Sequence, residues 1–227
     1  MVYVKMQTLD DLAVKYGTDK QFGVHGYTQT YARHLNEIRK TATAVFEIGV
    51  DKGSSIKMWR DYFANAKITG MDIKQFKPQE PMGERVEVFC GDQTKTKDLL
   101  AIADKNGPFD LIVDDGSHDN HAQLHGFGVL WPYVKPGGFY IVEDVCCSYW
   151  QEYGNTYPPH ENSGITGILR LVHDVNFRGF KVGKQKHRSA NYLLKQVQHM
   201  PHGMHTDIEE MIFANSTVLL RKRKTGT

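Results

Sequence analysis

Four carboxylates and a histidine stand where two apolar runs stop. The stretch "DLIVDDGSHDNH" (110–121) carries Leu111, Ile112 and Val113 into Asp114, Asp115 and then His118, and "GGFYIVEDVCC" ends its apolar run in Glu143 and Asp144. Short apolar runs of this kind read as buried strands. Neighbouring strands lie roughly 4.8 Å apart, and in open α/β sheets their C-terminal ends form the edge where ligands bind. Carboxylates gathered on that edge repel and raise one another's pKa unless positive charge sits among them. Oxygen donors suit a hard divalent cation, magnesium, manganese or calcium, better than zinc. One acidic pair alone reads as a helix cap or solvated turn; two pairs on adjacent strands read as a site. Successive strand residues point to opposite faces, so Asp114 and Asp115 are expected to do different jobs. His118, one short turn beyond Asp115, has the chemistry of a general base. His121 and His125 follow at helical spacing and read as ordinary helix residues, and His199, His202 and His205 as a loop.

The elements that must position these groups alternate. Segments 43–50, 67–73, 85–92, 109–115 and 139–144 read as strands, with helices predicted over 54–65, 96–105 and 121–134, the last closing at "KPGG". The pattern predicts an α/β fold, a Rossmann-like doubly wound sheet ordered 3-2-1-4-5 and mostly parallel. "IEEMIFA" and "TVLLRK" flank Asn215 and Ser216 and read as a C-terminal antiparallel hairpin. Residues 1–40 read as a helical lead-in, and a helix is expected from Ile165 to about Asn176. The insert 148–164 carries Tyr149, Trp150, Tyr153 and Tyr157, which suits either a lid with aromatic faces or a loop packed on its own rings.

The 227 residues fit one domain, 1–227, with 40% hydrophobic and 24% charged residues, as expected of a soluble globular protein. A net charge of +2 leaves no electrostatic footprint for nucleic acid. The basic stretches 181–188 and 221–224 read as a solvated loop and a chain end. Cys90, Cys146 and Cys147 have no zinc-type spacing and cannot all pair, which favours a reduced, cytoplasmic protein. No apolar run reaches the roughly 18 residues of a membrane span, and "MVYVKMQTLDD" does not read as a signal peptide.

Strand one ends in "FEIGVDKGSS", of the form E-x-G-x-x-x-G, where Glu47 replaces the first glycine of the dinucleotide fingerprint. A glycine there lets a ligand approach the backbone. Asp72 and Asp92 end strands two and three. This ordered set resembles the class I S-adenosylmethionine-dependent methyltransferases. The resemblance implies that Gly49 lies against the methionine portion of the cofactor, that Glu47 serves its amino-acid end, and that Ser54 opens the following helix. Asp72 would accept the ribose hydroxyls, and Asp92 with Gln93 would contact adenine.

A narrower resemblance rests on "KYGTDK" (15–20), "HGYT" (25–28), "DLIVDDGSH", "VEDVCCSYW" and "IEEMIFANSTVLLRK", and runs from about Leu12 to Lys222. These segments together resemble the metal-dependent sugar O-methyltransferases of macrolide biosynthesis, the mycinamicin type, whose core is shared by the cephalosporin-hydroxylase-like proteins. The resemblance implies Mg2+ or another hard divalent cation held by Asp115, Glu143 and Asp144, with Asp115 also beside the cofactor, and His118 as the catalytic base. It places a further cofactor contact on an N-terminal threonine, Thr18 or Thr28. It implies a small-molecule acceptor with vicinal hydroxyls, a homo-oligomer, and neither nucleic acid nor membrane as partner. Two departures from the family pattern are visible: a short lead-in stands where the macrolide enzymes have an N-terminal domain, and "VCC" follows the acidic pair in place of more polar residues. A methyltransferase of catechol-like diols, a metal-dependent hydrolase and a non-catalytic binding protein are the alternatives.

Overall fold

In a computed structural model, which describes residues 6–153, 155–161, 163–172, 175 and 207–224, the five apolar runs form parallel strands. These are β1 (Ala44–Ile48), β2 (Lys67–Asp72), β3 (Val86–Cys90), β4 (Phe109–Asp114) and β5 (Val134–Val142). The hairpin strands β6 (Ile208–Ala214) and β7 (Thr217–Lys222) complete a seven-stranded sheet ordered β3-β2-β1-β4-β5-β7-β6. β7 pairs antiparallel with both β5 and β6. Asn215 and Ser216 turn the hairpin at φ of 46° and 64°, the left-handed pair that matches strand twist. The expected order 3-2-1-4-5 is therefore present, extended by the hairpin.

Helices cover both faces. On one side, α1 (Leu9–Tyr16), α2 (Tyr27–Leu35) and α3 (Ser54–Tyr62) bury Leu9, Leu12, Tyr31, Leu35 and Trp59 in one cluster with Val45, Leu111, Val113, Phe139 and Ile141. On the other, α4 (Thr96–Asn106), α5 (Asn120–Leu130) and α6 (Gly164–Arg170) join Phe46, Ile48, Ile112, Tyr140 and Val142. Strand residues of odd and even number thus divide between the two layers, as a period of two requires. The lead-in is part of the core: Thr8 and Asp11 close a capping box at the start of α1, and Gly17 ends it at φ 67°.

Three boundaries differ from expectation. The helix expected over 121–134 ends at Leu130 and passes through a 3-10 turn, so "KPGG" lies inside β5. Gly138 is needed there because a Cβ would stand 2.8 Å from the carbonyl oxygen of Asp110 on β4. The helix expected to reach residue 65 stops at Tyr62, beyond which Phe63 leaves helical geometry at ψ 77°. Arg221 and Lys222 belong to β7, the first paired with Glu37 at 2.6 Å, so 221–224 is not simply a solvated chain end. The helix expected from Ile165 is described over Gly164–Arg170. Its continuation to Asn176 lies largely outside the described residues, and the basic stretch 181–188 and His199, His202 and His205 lie wholly outside them.

Candidate active site

Strand parity sorts the acidic residues. Val45, Val113 and Ile141 face α1–α3, so the residues two further on, Glu47, Asp115 and Glu143, point to the same side. Asp114 points to the other. It is fully buried and accepts from Gln93 Nε2 at 2.7 and 2.8 Å and from Tyr140 OH at 3.1 Å. The four strand-end carboxylates expected in one mouth are therefore not together: Glu47 takes the place of Asp114, because it has the right parity.

The positive charge among them is a lysine. The α1–α2 loop carries Lys20, 1% exposed, onto this face. Its Nζ lies 2.5 Å from Asp115 Oδ2, 2.7 Å from Glu143 Oε2 and 3.7 Å from Glu47 Oε1. One helical turn apart on α2, Tyr27 donates to Asp144 Oδ1 and Tyr31 donates to Glu143 Oε1, the latter at 2.8 Å. Glu47 Oε2 accepts from Ser55 Oγ at 2.7 Å, while its Oε1 has no hydrogen-bond partner. Sequence reasoning missed Lys20, Tyr27 and Tyr31. For the tyrosines a signal was present in "HGYTQTY", where Tyr27 and Tyr31 stand at i and i+4 on one helix face.

Burial opposes the Lys20 ammonium, but Glu143, Asp115 and Glu47 outweigh it and hold the group well above the ordinary lysine range. Burial pushes Glu47 up to about 7 against the pull of Lys20. Glu143 is pushed up by burial and by Asp115, and Asp115 by burial despite Lys20. One ammonium shared among three carboxylates cannot keep all three ionised, so the cluster has capacity for more positive charge.

Burial also drives Asp114 up to about 7, against its bonds from Gln93 and Tyr140. A carboxyl raised in the folded state holds a proton there that the unfolded chain has already released. The stability of the metal-free protein should therefore fall as pH rises from the ordinary carboxylate range to about 7. Asp114→Asn should remove part of that slope: urea midpoints at pH 5 and pH 8 should differ less in the variant than in the wild-type chain. An equal or steeper fall in the variant would show that Asp114 is ionised throughout.

Beyond the lysine, Asp115, His118 and Asp144 each offer one ligand atom, and these atoms lie within 4.8 Å of one another. His118 Nε2 is 3.6 Å from Asp144 Oδ2, too far for a hydrogen bond, and Nδ1 is buried with no partner. His118 and Asp144 both hold left-handed backbone, φ 55° and 52°, which aims the two side chains from tight turns. Two carboxylate oxygens and an imidazole nitrogen, beside a cluster with surplus negative charge, fit a divalent cation. Glu143, expected as a ligand, has both oxygens engaged by Lys20 and Tyr31. His121 and His125 lie along α5, where His125 Nε2 meets Thr96 Oγ1 at 3.2 Å; neither joins the cluster.

A cleft of about 630 Å³ runs from this group along the strand ends, lined by Thr18, Gly49, Ser54, Asp72, Asp115, His118 and Asp144 among others. A slot of about 190 Å³ shares Gly49 and Asp72 with it and adds Asp92 and Gln93. Glu47, Thr28 and Glu143 line neither. Thr28 instead donates to Asp10 Oδ1 at 2.6 Å, leaving Thr18 as the threonine at the cleft. Gly49 lines both cleft and slot and meets a packing need as well: at φ +89° a Cβ would stand 1.9 Å from the carbonyl oxygen of Asp115, so the β1 turn and the end of β4 touch only through a glycine. Asp72 accepts from the amides of Val50, Asp51 and Lys74 at 2.9, 3.0 and 2.9 Å. Burial works against its charge, yet those amides hold the carboxylate below its usual range. It braces the β1 turn whatever it binds.

The insert touches the site. The Tyr153 ring meets His118 edge-on at 6.5 Å between centroids, while Trp150 with Tyr153 and Tyr149 with Tyr157 pair at 6.3 and 6.1 Å. Asn120, at the start of α5, anchors both ends of the insert. Its Oδ1 accepts from Ser148 Oγ at 2.9 Å and Gly164 N at 2.7 Å, and its Nδ2 donates to Asn155 at 2.5 Å. No helix among the described residues is long and apolar enough to cross a membrane.

Comparison with known proteins gives a consistent result. Residues 46–145 match the family described as a methyltransferase domain. The chain is 36% identical to L-olivosyl-oleandolide 3-O-methyltransferase of Streptomyces antibioticus over 178 residues, covering 73% of this chain and 46% of that protein. It is 33% identical to mycinamicin VI 2''-O-methyltransferase of Micromonospora griseorubida over 197 residues, covering 83% and 49%. Among solved structures, MycE methyltransferase from the mycinamycin biosynthetic pathway, in complex with Mg and SAH, superposes with a TM-score of 0.83 at 27% identity, covering 97% of this chain and 54% of that one. The chain thus spans about half the length of these relatives.

Proposed function

We propose, from the premise that this chain is a class I methyltransferase domain of the type carried by the macrolide sugar O-methyltransferases, that it methylates a hydroxyl of a sugar or glycosylated natural product. The donor is S-adenosylmethionine, and the reaction requires a divalent cation. The observation that carries this reading is the convergence of Asp115, His118 and Asp144 at one end of a cleft that continues past Gly49 to Asp72. Thr18, Gly49, Ser54 and Asp72 would hold the cofactor along the cleft, with Asp92 and Gln93 at the slot beyond. Asp115 and Asp144 would hold the cation beside His118. When bound, the cofactor supplies an electrophilic methyl group and the cation offsets charge developing on the acceptor oxygen.

His118 does the proton chemistry. Its Nδ1 is buried, so Nε2 is the atom left to take the hydroxyl proton as the oxygen attacks the methyl carbon. Held in the cleft, S-adenosylmethionine would supply that methyl group and leave as S-adenosylhomocysteine, the electron pair of the methyl–sulfur bond remaining on sulfur. Tyr27, on Asp144, and Lys20, on Asp115, fix the two carboxylates around that base. Trp150, Tyr153 and Tyr157, all exposed, form a lid whose ring faces suit a sugar, and vicinal hydroxyls give the acceptor two points of attachment to the cation.

The test pairs binding with product. Calorimetry should show S-adenosylhomocysteine binding one site. Incubation with S-adenosylmethionine, MgCl2 and a panel of glycosides and catechols should add one methyl mass to a glycoside. A folded protein that binds no S-adenosylhomocysteine would exclude the reading, and methylation confined to catechols would replace the acceptor class.

A further inference from the structure

Lys20 is a costly residue to place where it is. A buried ammonium must be matched by charge and hydrogen bonds, and this one is over-matched. Asp115 and Glu143 lie within hydrogen-bond distance, and Glu47 Oε1, 3.7 Å away, is left without a hydrogen bond of its own. Asp115 also belongs to the group with His118 and Asp144 that faces the cleft. The same carboxylate is therefore shared between an internal cation and the site for an external one. Lys20 cannot withdraw to solvent without unburying the loop between α1 and α2, which is held by bonds such as Thr28 N to Lys20 O at 3.1 Å and His25 N to Asp19 O at 3.0 Å.

Resting on the cation-dependent reading above, we propose that Lys20 is the built-in counter-ion of the site. It is a positioning residue that holds Asp115 and Glu143 together in the absence of an ion and sets the affinity for a divalent cation by competing for Asp115. Two consequences separate this from a merely structural ion pair. Removing the ammonium should weaken the metal-free protein, since the buried Glu47 and Glu143 and the half-buried Asp115 lose their partner. It should also tighten cation binding, since an opposing charge is gone and Asp115 is free to face the cation.

The experiment is titration of MgCl2 into the full chain by calorimetry at pH 8.5, with melting temperatures read with and without the ion. Lys20→Met keeps length and flexibility but removes charge. Its metal-free melting temperature should fall, its rise on adding Mg2+ should exceed that of the wild-type chain, and its Kd should tighten by about tenfold or more. Should Lys20→Met fail to fold, Glu143→Gln is compared with Lys20→Met/Glu143→Gln. There the ammonium is removed together with one of its carboxylates, and the double variant should bind Mg2+ about tenfold more tightly than Glu143→Gln alone. Equal or weaker binding on loss of the lysine in the folding background overturns the inference while leaving the cation-dependent reading intact. A wild-type chain that binds no Mg2+ overturns both.

Discussion

Replacing His118 by asparagine should lower kcat by roughly a hundred- to ten-thousand-fold, the usual contribution of a positioned general base, while Mg2+ and S-adenosylhomocysteine still bind. Asparagine is the informative choice because His118 sits at φ 55°, a left-handed conformation that asparagine tolerates and alanine strains. The same variant decides between two roles that the geometry allows, because His118 lies within the group that can ligate a cation. If it serves as base, the Kd for Mg2+ stays within about twofold of wild type, well short of the loss expected on removing a ligand. A large loss of Mg2+ affinity would make it a ligand, and proton transfer would have to be assigned elsewhere.

The strand order and the two helical layers were legible in the sequence because apolar runs and helical periods alternate without interruption from 43 to 144. The hairpin was legible because Asn215 and Ser216 sit between two β-rich runs. What the pattern could not supply was contact between distant segments. "KPGG" looks like a stop signal in one dimension; only the approach of the Asp110 backbone shows why Gly138 belongs in a strand. The site divides in the same way. The strand-end places of Asp115 and Asp144, and that of His118 one short turn beyond β4, were readable. The period of two already implied that Asp114 would leave the group and that Glu47, two residues after Val45, would join Asp115 and Glu143. Lys20 was not readable, because nothing local marks a lysine in a short loop as buried; it is buried by an α1–α2 layer that folds over the sheet.

That buried lysine changes what a carboxylate substitution can be expected to show. Asp115→Asn disturbs the partner of Lys20 as well as a cation ligand, since Nζ is only 2.5 Å from Oδ2, so a loss of activity there would be ambiguous. Asp144 has no contact with Lys20 within salt-bridge distance among the described residues. The hydroxyl of Tyr27, which donates to it among the described residues, would still find the amide oxygen of asparagine. Its φ of 52° also suits asparagine. Asp144→Asn should therefore fold with a melting temperature close to wild type and bind S-adenosylhomocysteine. Its Mg2+ affinity should fall at least about tenfold, in the range seen when a metal site loses a supporting group. Catalysis should fall further than affinity. A cation stabilising a developing alkoxide supplies several kcal/mol, and about 4 kcal/mol corresponds to roughly a thousandfold in rate. Excess chelator should bring the wild-type chain down by at least that factor, and MgCl2 should restore it. Raising MgCl2 should recover Asp144→Asn only in part. Full methyl transfer in chelator would leave Asp115 and Asp144 as cofactor contacts and His118 to activate the hydroxyl alone.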